Sequence, residues 1–215
     1  MTPTRARELP IAIETTTLRG VLRIPHGSRG IVLFAHGSGS GRLSPRNNYV
    51  AERMSSAGLA TLLFDLLTDK EEAIDSVTAE LRFDIPLLTD RLVAATQWTQ
   101  QYPELQDMAI GYFGASTGAA AALAAAARFP EIAAIVSRGG RPDLAGSALA
   151  NVRAPTLLIV GGNDPEVLAL NRSALAQLKC EARIEIVPHA THLFVEPGTL
   201  EQVASLAVRW FKHNL

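Results

Sequence analysis

Apolar residues are distributed along the chain in two alternating patterns. Short runs of Val, Ile, Leu and Phe recur at residues 31–34, 60–64, 108–110, 132–136, 155–160 and 184–187. Each has the length of a strand buried on both faces. Between the runs lie segments of helical period, at residues 47–57, 78–99 around Asp84 and Pro86, 117–128 and 200–210, which predict helices. Shorter helices are expected after Pro142 and Pro165, where a proline in the first turn costs no hydrogen bond. Residues 11–15 and 21–24 instead alternate apolar with polar positions across a short polar link containing Gly20. That pattern predicts an antiparallel hairpin at one sheet edge. The expectation is an α/β fold with a mostly parallel central sheet of about eight strands and helices on both faces.

No period of 20 to 50 residues repeats and no low-complexity linker divides the chain, so residues 1–215 read as a single domain. The stretch between Val136 and Thr156 is too short for a large lid domain. At 215 residues with 47% hydrophobic content, folding removes roughly 70% of the unfolded surface from water.

A formal charge of −1, from 20 basic and 21 acidic residues, leaves no surplus to attract nucleic acid or an anionic membrane. A small-molecule partner is favoured. Cys180 is the single cysteine, so no intramolecular disulfide can form. Its polar neighbours lack the helix-start setting that activates a thiol, which points to an inert residue and a cytoplasmic protein. Arg5 and Arg7 precede no apolar region of signal-peptide length, and no run reaches the ~18 apolar residues that span a bilayer. Membrane insertion is not expected.

The chemistry concentrates around Ser116. Residues 108–114 read as a strand that runs into Gly114-Ala115-Ser116-Thr117-Gly118, and residues 119–127 are all Ala apart from Leu123. A bare G-x-S-x-G arises by chance in roughly one chain of this length in fifteen, so the pattern carries little by itself. Strand, sharp turn and helix around it make the context of a nucleophile elbow, in which the serine Oγ projects above the sheet. The N–H of Thr117, at the helix start, is one candidate oxyanion donor. The second is expected from the loop after the strand at 31–34, which reads His36-Gly37-Ser38-Gly39-Ser40-Gly41, and the N–H of Ser38 is the choice there. His36 itself reads as a structural histidine.

A serine nucleophile needs a base. Of five histidines, only His189 and His192 fall in a loop after the last strand, where a fold of this order presents one. Asp164 follows the strand at 155–160, so Ser116, Asp164 and then a histidine stand in the chain order of α/β hydrolases. Each member has a plainer reading, Asp164 as the N-cap of a helix starting at Pro165 and either histidine as a surface residue. Arg138 and Arg141 lie at the carboxyl end of the strand at 132–136, where open α/β sheets bind ligands. They are candidates for binding a substrate carboxylate or phosphate, with Arg46 and Arg82 adding charge nearby. Surface salt bridges are the competing reading.

With these residues in place, the sequence resembles the dienelactone hydrolase family of α/β hydrolases, in its serine-nucleophile branch, over nearly the whole chain. The resemblance is carried by residues 32–40, 44–47, 65–68, 81–85, 111–118, 136–144 and 190–194. Similar family sequences place the base in an Ala-Thr/Ser-His-Leu-Phe pattern, which falls on His192 and implies that it, rather than His189, is the base. The founding dienelactone hydrolases carry Cys where Ser116 stands, so dienelactone itself is not the expected substrate.

The reading is a serine hydrolase that cleaves a small carboxylic ester, thioester or lactone through an acyl-enzyme on Ser116, with neither metal nor organic cofactor. The alternative is a non-catalytic α/β-hydrolase fold that binds a ligand in the same pocket. A homo-oligomer stays open, because an apolar stripe on a helix at 200–210 serves a sheet or a second subunit equally well.

Overall fold

A computed structural model of the protein describes residues 5–13 and 16–215. One eight-stranded sheet runs through it, formed by β1 (Arg7–Ile13), β2 (Thr16–Arg23), β3 (Gly30–Ala35), β4 (Ala60–Phe64), β5 (Ala109–Ala115), β6 (Ala134–Arg138), β7 (Thr156–Gly161) and β8 (Ala182–Val187). The spatial order is β1-β2-β4-β3-β5-β6-β7-β8. β1 pairs antiparallel with β2, and β2 with β4, while every pair from β4 through β8 is parallel. The expected hairpin forms at the edge, but Gly20 lies inside β2 rather than in the link. Thr15, placed in the first strand from the sequence, lies outside the described residues.

The six α-helices are α1 (Pro45–Ser56), α2 (Asp69–Thr78), α3 (Ile85–Gln101), α4 (Thr117–Arg128), α5 (Pro165–Leu175) and α6 (Thr199–Asn214). On one face of the sheet α3 and α4 bury Leu88, Leu92, Ala121 and Leu123 against Leu33, Leu62, Tyr112 and Ile135. On the other, α1 and α6 bury Val50, Met54, Val203 and Phe211 against Val32, Phe34, Phe113 and Val136. The stripe on α6 therefore covers the sheet of its own chain.

The helix expected over residues 78–99 begins only at Ile85, as α3, and α2, which ends at Thr78, lies almost wholly before it. Ala79, in the left-handed region at φ 57°, ends α2, and a 3-10 turn (Leu81–Phe83) follows. Asp84 then starts α3 by accepting the Leu87 N–H at 3.0 Å, with Pro86 in the first turn where its missing N–H costs nothing.

α2 buries almost nothing, Asp75 being its one buried residue. Its start is held by a capping box, in which Thr68 Oγ1 accepts the Glu71 N–H while Glu71 accepts the Thr68 N–H. Its packing comes from ion pairs, Asp75 with Arg82 at 2.7 Å and Glu71 with Arg91 at 2.7 Å. Burial by itself would raise the Asp75 carboxyl, but the backbone N–H and guanidinium of Arg82 outweigh it and hold the group below its ordinary value.

In the pH window below the ordinary carboxylate range near ~4, the unfolded chain therefore binds the extra proton. Stability from Asp75 is complete above that range and is lost as pH falls through its depressed native value. In melting temperatures measured from neutral pH down to about 2.5, Asp75→Asn is expected to start lower than the wild type and to fall less steeply below about pH 4. Parallel curves would remove Asp75 from the acid response.

Candidate active site

β5 ends at Ala115 and α4 begins at Thr117, so one residue, Ser116, makes the reversal between them. Its φ of 51° and ψ of −122° lie where residues with a side chain rarely go, a conformation that stores on the order of 1–3 kcal/mol of strain. Its N–H reaches Arg138 O at 3.3 Å, and its carbonyl accepts from Ala119 at 3.1 Å and Arg141 at 3.0 Å. The side chain caps no helix N–H, so Oγ is left uncommitted.

The glycines on either side serve another purpose than bending. Neither Gly114 nor Gly118 has a positive φ. A Cβ at Gly114 would stand 2.5 Å from Ala119 Cα, and one at Gly118 would overlap the carbonyl oxygens of Ala35 and His36. Both are small so that α4 and the loop after β3 can close on the strand, while the serine takes the strained angle.

That loop is held by His36, which is buried and accepts the Leu66 N–H on Nε2 at 2.9 Å. Nδ1 stands 3.0 Å from Gly37 O, which requires the proton on Nδ1. Burial lowers the His36 pKa, consistent with a neutral structural imidazole. Gly37 follows, where a Cβ would lie only 2.9 Å from Ser116 Cβ, so the loop backbone lies directly against Ser116. Ser38 and Thr117 line one small cavity together with Gly39, Ser40, Leu67, Glu72, Asp75, Arg82 and Leu88.

The loops after β7 and β8 are zipped together. Gly162 N–H donates to Val187 O at 2.9 Å, Asn163 N–H to Ala190 O at 2.9 Å, and Asn163 Nδ2 to His189 O at 3.0 Å. A methyl at Gly161 would overlap Ala190 O. Closure on this scale brings Asp164 Oδ2 to 2.8 Å from His192 Nδ1. Asp164 does stand at the N-cap of α5, but its carboxylate caps nothing. It is turned to the imidazole instead. The His192 loop is pinned by buried Phe194 and by Glu196, which accepts the Thr191 hydroxyl at 2.6 Å and its N–H at 3.1 Å. Those two bonds hold the Glu196 carboxyl below its ordinary value.

His189, at φ 63°, is exposed, and among the described residues the Asp164 carboxylate bonds to His192 and not to it. His192 packs against Gly139, where a Cβ would lie 3.0 Å from His192 O. Among the described residues no hydrogen bond joins Ser116 Oγ to His192, an arrangement common in ligand-free sites that tighten on binding substrate.

Three of the four arginines noted in the sequence have separate surroundings. Arg141 forks onto Asp143 at 2.9 and 2.7 Å, so its charge is answered within the chain. Arg82 places Nε on Asp75 and Nη2 on the Asp75 carbonyl, bracing α2. Arg138 is buried, as β6 runs two residues beyond its expected end to include it.

What sequence reasoning missed is α2, which brings Glu72 and Asp75, with Arg82 from the turn after it, to the cavity lined by Ser38 and Thr117. Its signal was present in Thr68-x-x-Glu71 before an acidic first turn. Among the described residues no group of His, Cys, Asp and Glu could hold a metal ion, and no helix is long and apolar enough to cross a membrane.

The family model of the dienelactone hydrolase family matches residues 18–213. The chain belongs to the dienelactone hydrolase family. Its sheet order and edge hairpin are those of the α/β-hydrolase fold. Among solved structures, this family member is similar to a dienelactone hydrolase from Anabaena variabilis, with 58% identity, 99% of each chain covered and a TM-score of 0.98. A dienelactone hydrolase-like promiscuous phosphotriesterase from metagenomic libraries, at 20% identity, 99% coverage of each chain and a TM-score of 0.79, shares the fold. A curated relative from Mycobacterium tuberculosis, provisionally named a phosphoribosyl transferase, is 53% identical over 214 residues. These cover 99% of this chain but 47% of the relative, so the chain spans about half the length of that protein.

Proposed function

We propose that this family member is a serine hydrolase that cleaves a carboxylic ester, thioester or lactone of a small substrate through an acyl-enzyme on Ser116. The observation that carries the reading is the uncommitted, strained Ser116 at a helix start, on the same sheet edge as the 2.8 Å pair of His192 and Asp164.

His192 Nδ1 faces a carboxylate, which retains its proton there and leaves Nε2 free to accept the Ser116 proton as Oγ attacks the carbonyl carbon. Asp164 then stabilises the imidazolium. The negative charge on the carbonyl oxygen is met by the Ser38 and Thr117 N–H groups. Collapse of the tetrahedral intermediate expels the alcohol, thiol or lactone hydroxyl with the His192 proton, and a water deprotonated by His192 releases the acid. With the His192 side chain 37% exposed, that water has direct access.

Cys180 is half-buried, and burial raises its thiol pKa. A single inert thiol suits a reducing compartment, and we place the protein in the cytoplasm.

A fluorophosphonate probe is expected to form one adduct, on Ser116, and p-nitrophenyl acetate to give a burst of nitrophenol equal to the enzyme concentration. A protein that takes no probe but is stabilised thermally by a ligand would be the non-catalytic binding fold instead.

A further inference from the structure

The strained backbone of Ser116 is held at both its polar groups by one short segment. Arg138 O accepts the Ser116 N–H at 3.3 Å, and the Arg141 N–H donates to Ser116 O at 3.0 Å. Residues 138–141 thus form a strap across the turn at Ser116, and Gly139, in its middle, packs against His192. The two central residues are glycines for want of room. A Cβ at Gly140 would overlap Ser137 Oγ, and one at Gly139 would stand 3.0 Å from His192 O. The middle of the strap therefore has no side chain to anchor it, and its place is fixed through backbone groups. One of these is the Gly139 N–H, which donates to Ile159 O in β7 at 2.8 Å.

Another is the Gly140 carbonyl, which is taken by Asn171. This side chain, fully buried on α5, donates from Nδ2 to Gly140 O at 2.9 Å and to Val167 O at 2.8 Å. Both partners are carbonyl oxygens, so the amide must turn its nitrogen to them. Oδ1 is then left buried without a partner, which is destabilising. An apolar side chain would fill the space without that loss, so packing by itself does not explain an amide here. α5 is also the helix that starts at Asp164, about two turns before Asn171. One amide thus ties the strap on Ser116 to the helix that begins at the acid.

We propose that Asn171 is a positioning residue for the Ser116 site. By fixing Gly140 O relative to α5, it keeps the strap where it holds Ser116 at φ 51° and packs Gly139 on His192. Released from Asn171, the strap shifts, Ser116 relaxes from its strained angle, and Oγ leaves the line of attack. The inference rests on the hydrolase reading and adds the residue that joins its nucleophile and its acid into one unit.

The test uses Asn171→Thr and Asn171→Ala. In α3, Thr96 and Thr99 each donate their hydroxyl to the carbonyl four residues back at 2.8 Å. Asn171→Thr is therefore expected to keep the bond to Val167 O and lose the one to Gly140 O, whereas Asn171→Ala loses both. On p-nitrophenyl acetate, kcat per site titrated with the fluorophosphonate probe is expected to fall about 10- to 100-fold in both variants with little change in KM, the range set by leaving a buried carbonyl unpaired. A role confined to bracing α5 predicts otherwise, with Asn171→Thr at wild-type kcat and only the melting temperature of Asn171→Ala lowered. That result overturns the proposal.

A second readout needs no turnover. The extra stability of Ser116→Gly over Ser116→Ala in urea measures the strain at the turn. With Asn171→Thr as background that difference is expected to shrink to about half or less, because the two residues are coupled through the strap. An unchanged difference overturns the proposal. If the wild type turns over no ester, the hydrolase reading fails by itself, and the urea comparison alone decides whether Asn171 holds the turn. Should Asn171→Ala not fold, Asn171→Thr carries both measurements.

Discussion

Ser116→Ala is expected to lower kcat on p-nitrophenyl acetate by between about 10⁴- and 10⁶-fold, leaving only what binding and the oxyanion donors supply. The loss should appear in kcat rather than KM, because Oγ forms its bond in the transition state and not in the ground state. Stability offers a second readout that the activity assay does not. Ser116 occupies φ 51°, ψ −122°, a conformation open to glycine at no steric cost. Alanine keeps a Cβ there, so Ser116→Ala should retain the strain. Ser116→Gly should release it, and urea denaturation is expected to find the glycine variant more stable than the alanine variant by about 1–3 kcal/mol. Both variants should be inactive. An active Ser116→Ala would remove Ser116 as nucleophile, and equal stabilities would show that the turn holds no strain.

Asp164→Asn is expected to reduce kcat by about 10⁴-fold while changing stability little. The carboxylate accepts from His192 Nδ1 at 2.8 Å, and that bond sets the tautomer with Nε2 unprotonated. An asparagine presents an NH₂ group to Nδ1 as readily as its oxygen. The imidazole then carries its proton on Nε2, where it cannot accept one from Ser116. Because Asp164 caps no N–H of α5, its helix loses no capping bond on substitution. A loss of stability comparable to removal of an N-cap, about 1 kcal/mol, with activity retained would return Asp164 to the plainer role of helix start.

These two residues illustrate how far each kind of information reaches. Ser116 was legible locally, because a buried strand, a turn of small residues and an Ala-rich helix are all written within residues 108–127. Asp164 was read as the acid from its place in the chain order, while its local sequence reads equally as a helix cap. A residue before Pro165 is an N-cap by every local rule, and only the zipped loops after β7 and β8 turn its carboxylate away from α5. The choice between His189 and His192 is of the same kind. They are three residues apart, and their surroundings diverge because Phe194 is buried and Glu196 ties down Thr191.

The arginines divide in a way no local pattern predicts. Arg138 and Arg141 stand three positions apart, yet one is buried without an acceptor and the other is forked on Asp143. The first lies in the last pleat of β6, facing α1, and the second beyond the turn at Gly139. The late start of the helix expected over residues 78–99 has a more local cause, since Asp84 and Pro86 signal a start and Ala79, in the left-handed region, ends α2 before it.

By itself, the sequence determined the class of fold, the strand order, the α-helices apart from α2, the strand-turn-helix at Ser116 and the chain order of Asp164 and His192. These follow from periodicity and turn chemistry, which act between residues close in the chain. Only the tertiary structure decided which carboxylate faces His192, which arginine is left unpaired, and that Gly37, Gly114 and Gly118 are small for the sake of close approach. Those depend on loops from separate strands meeting at one edge of the sheet, with contacts such as Gly118 to His36 and Asp164 to His192. Hydrogen bonds and steric contacts act over a few ångströms in space, and the distance between their partners along the chain leaves no mark on them.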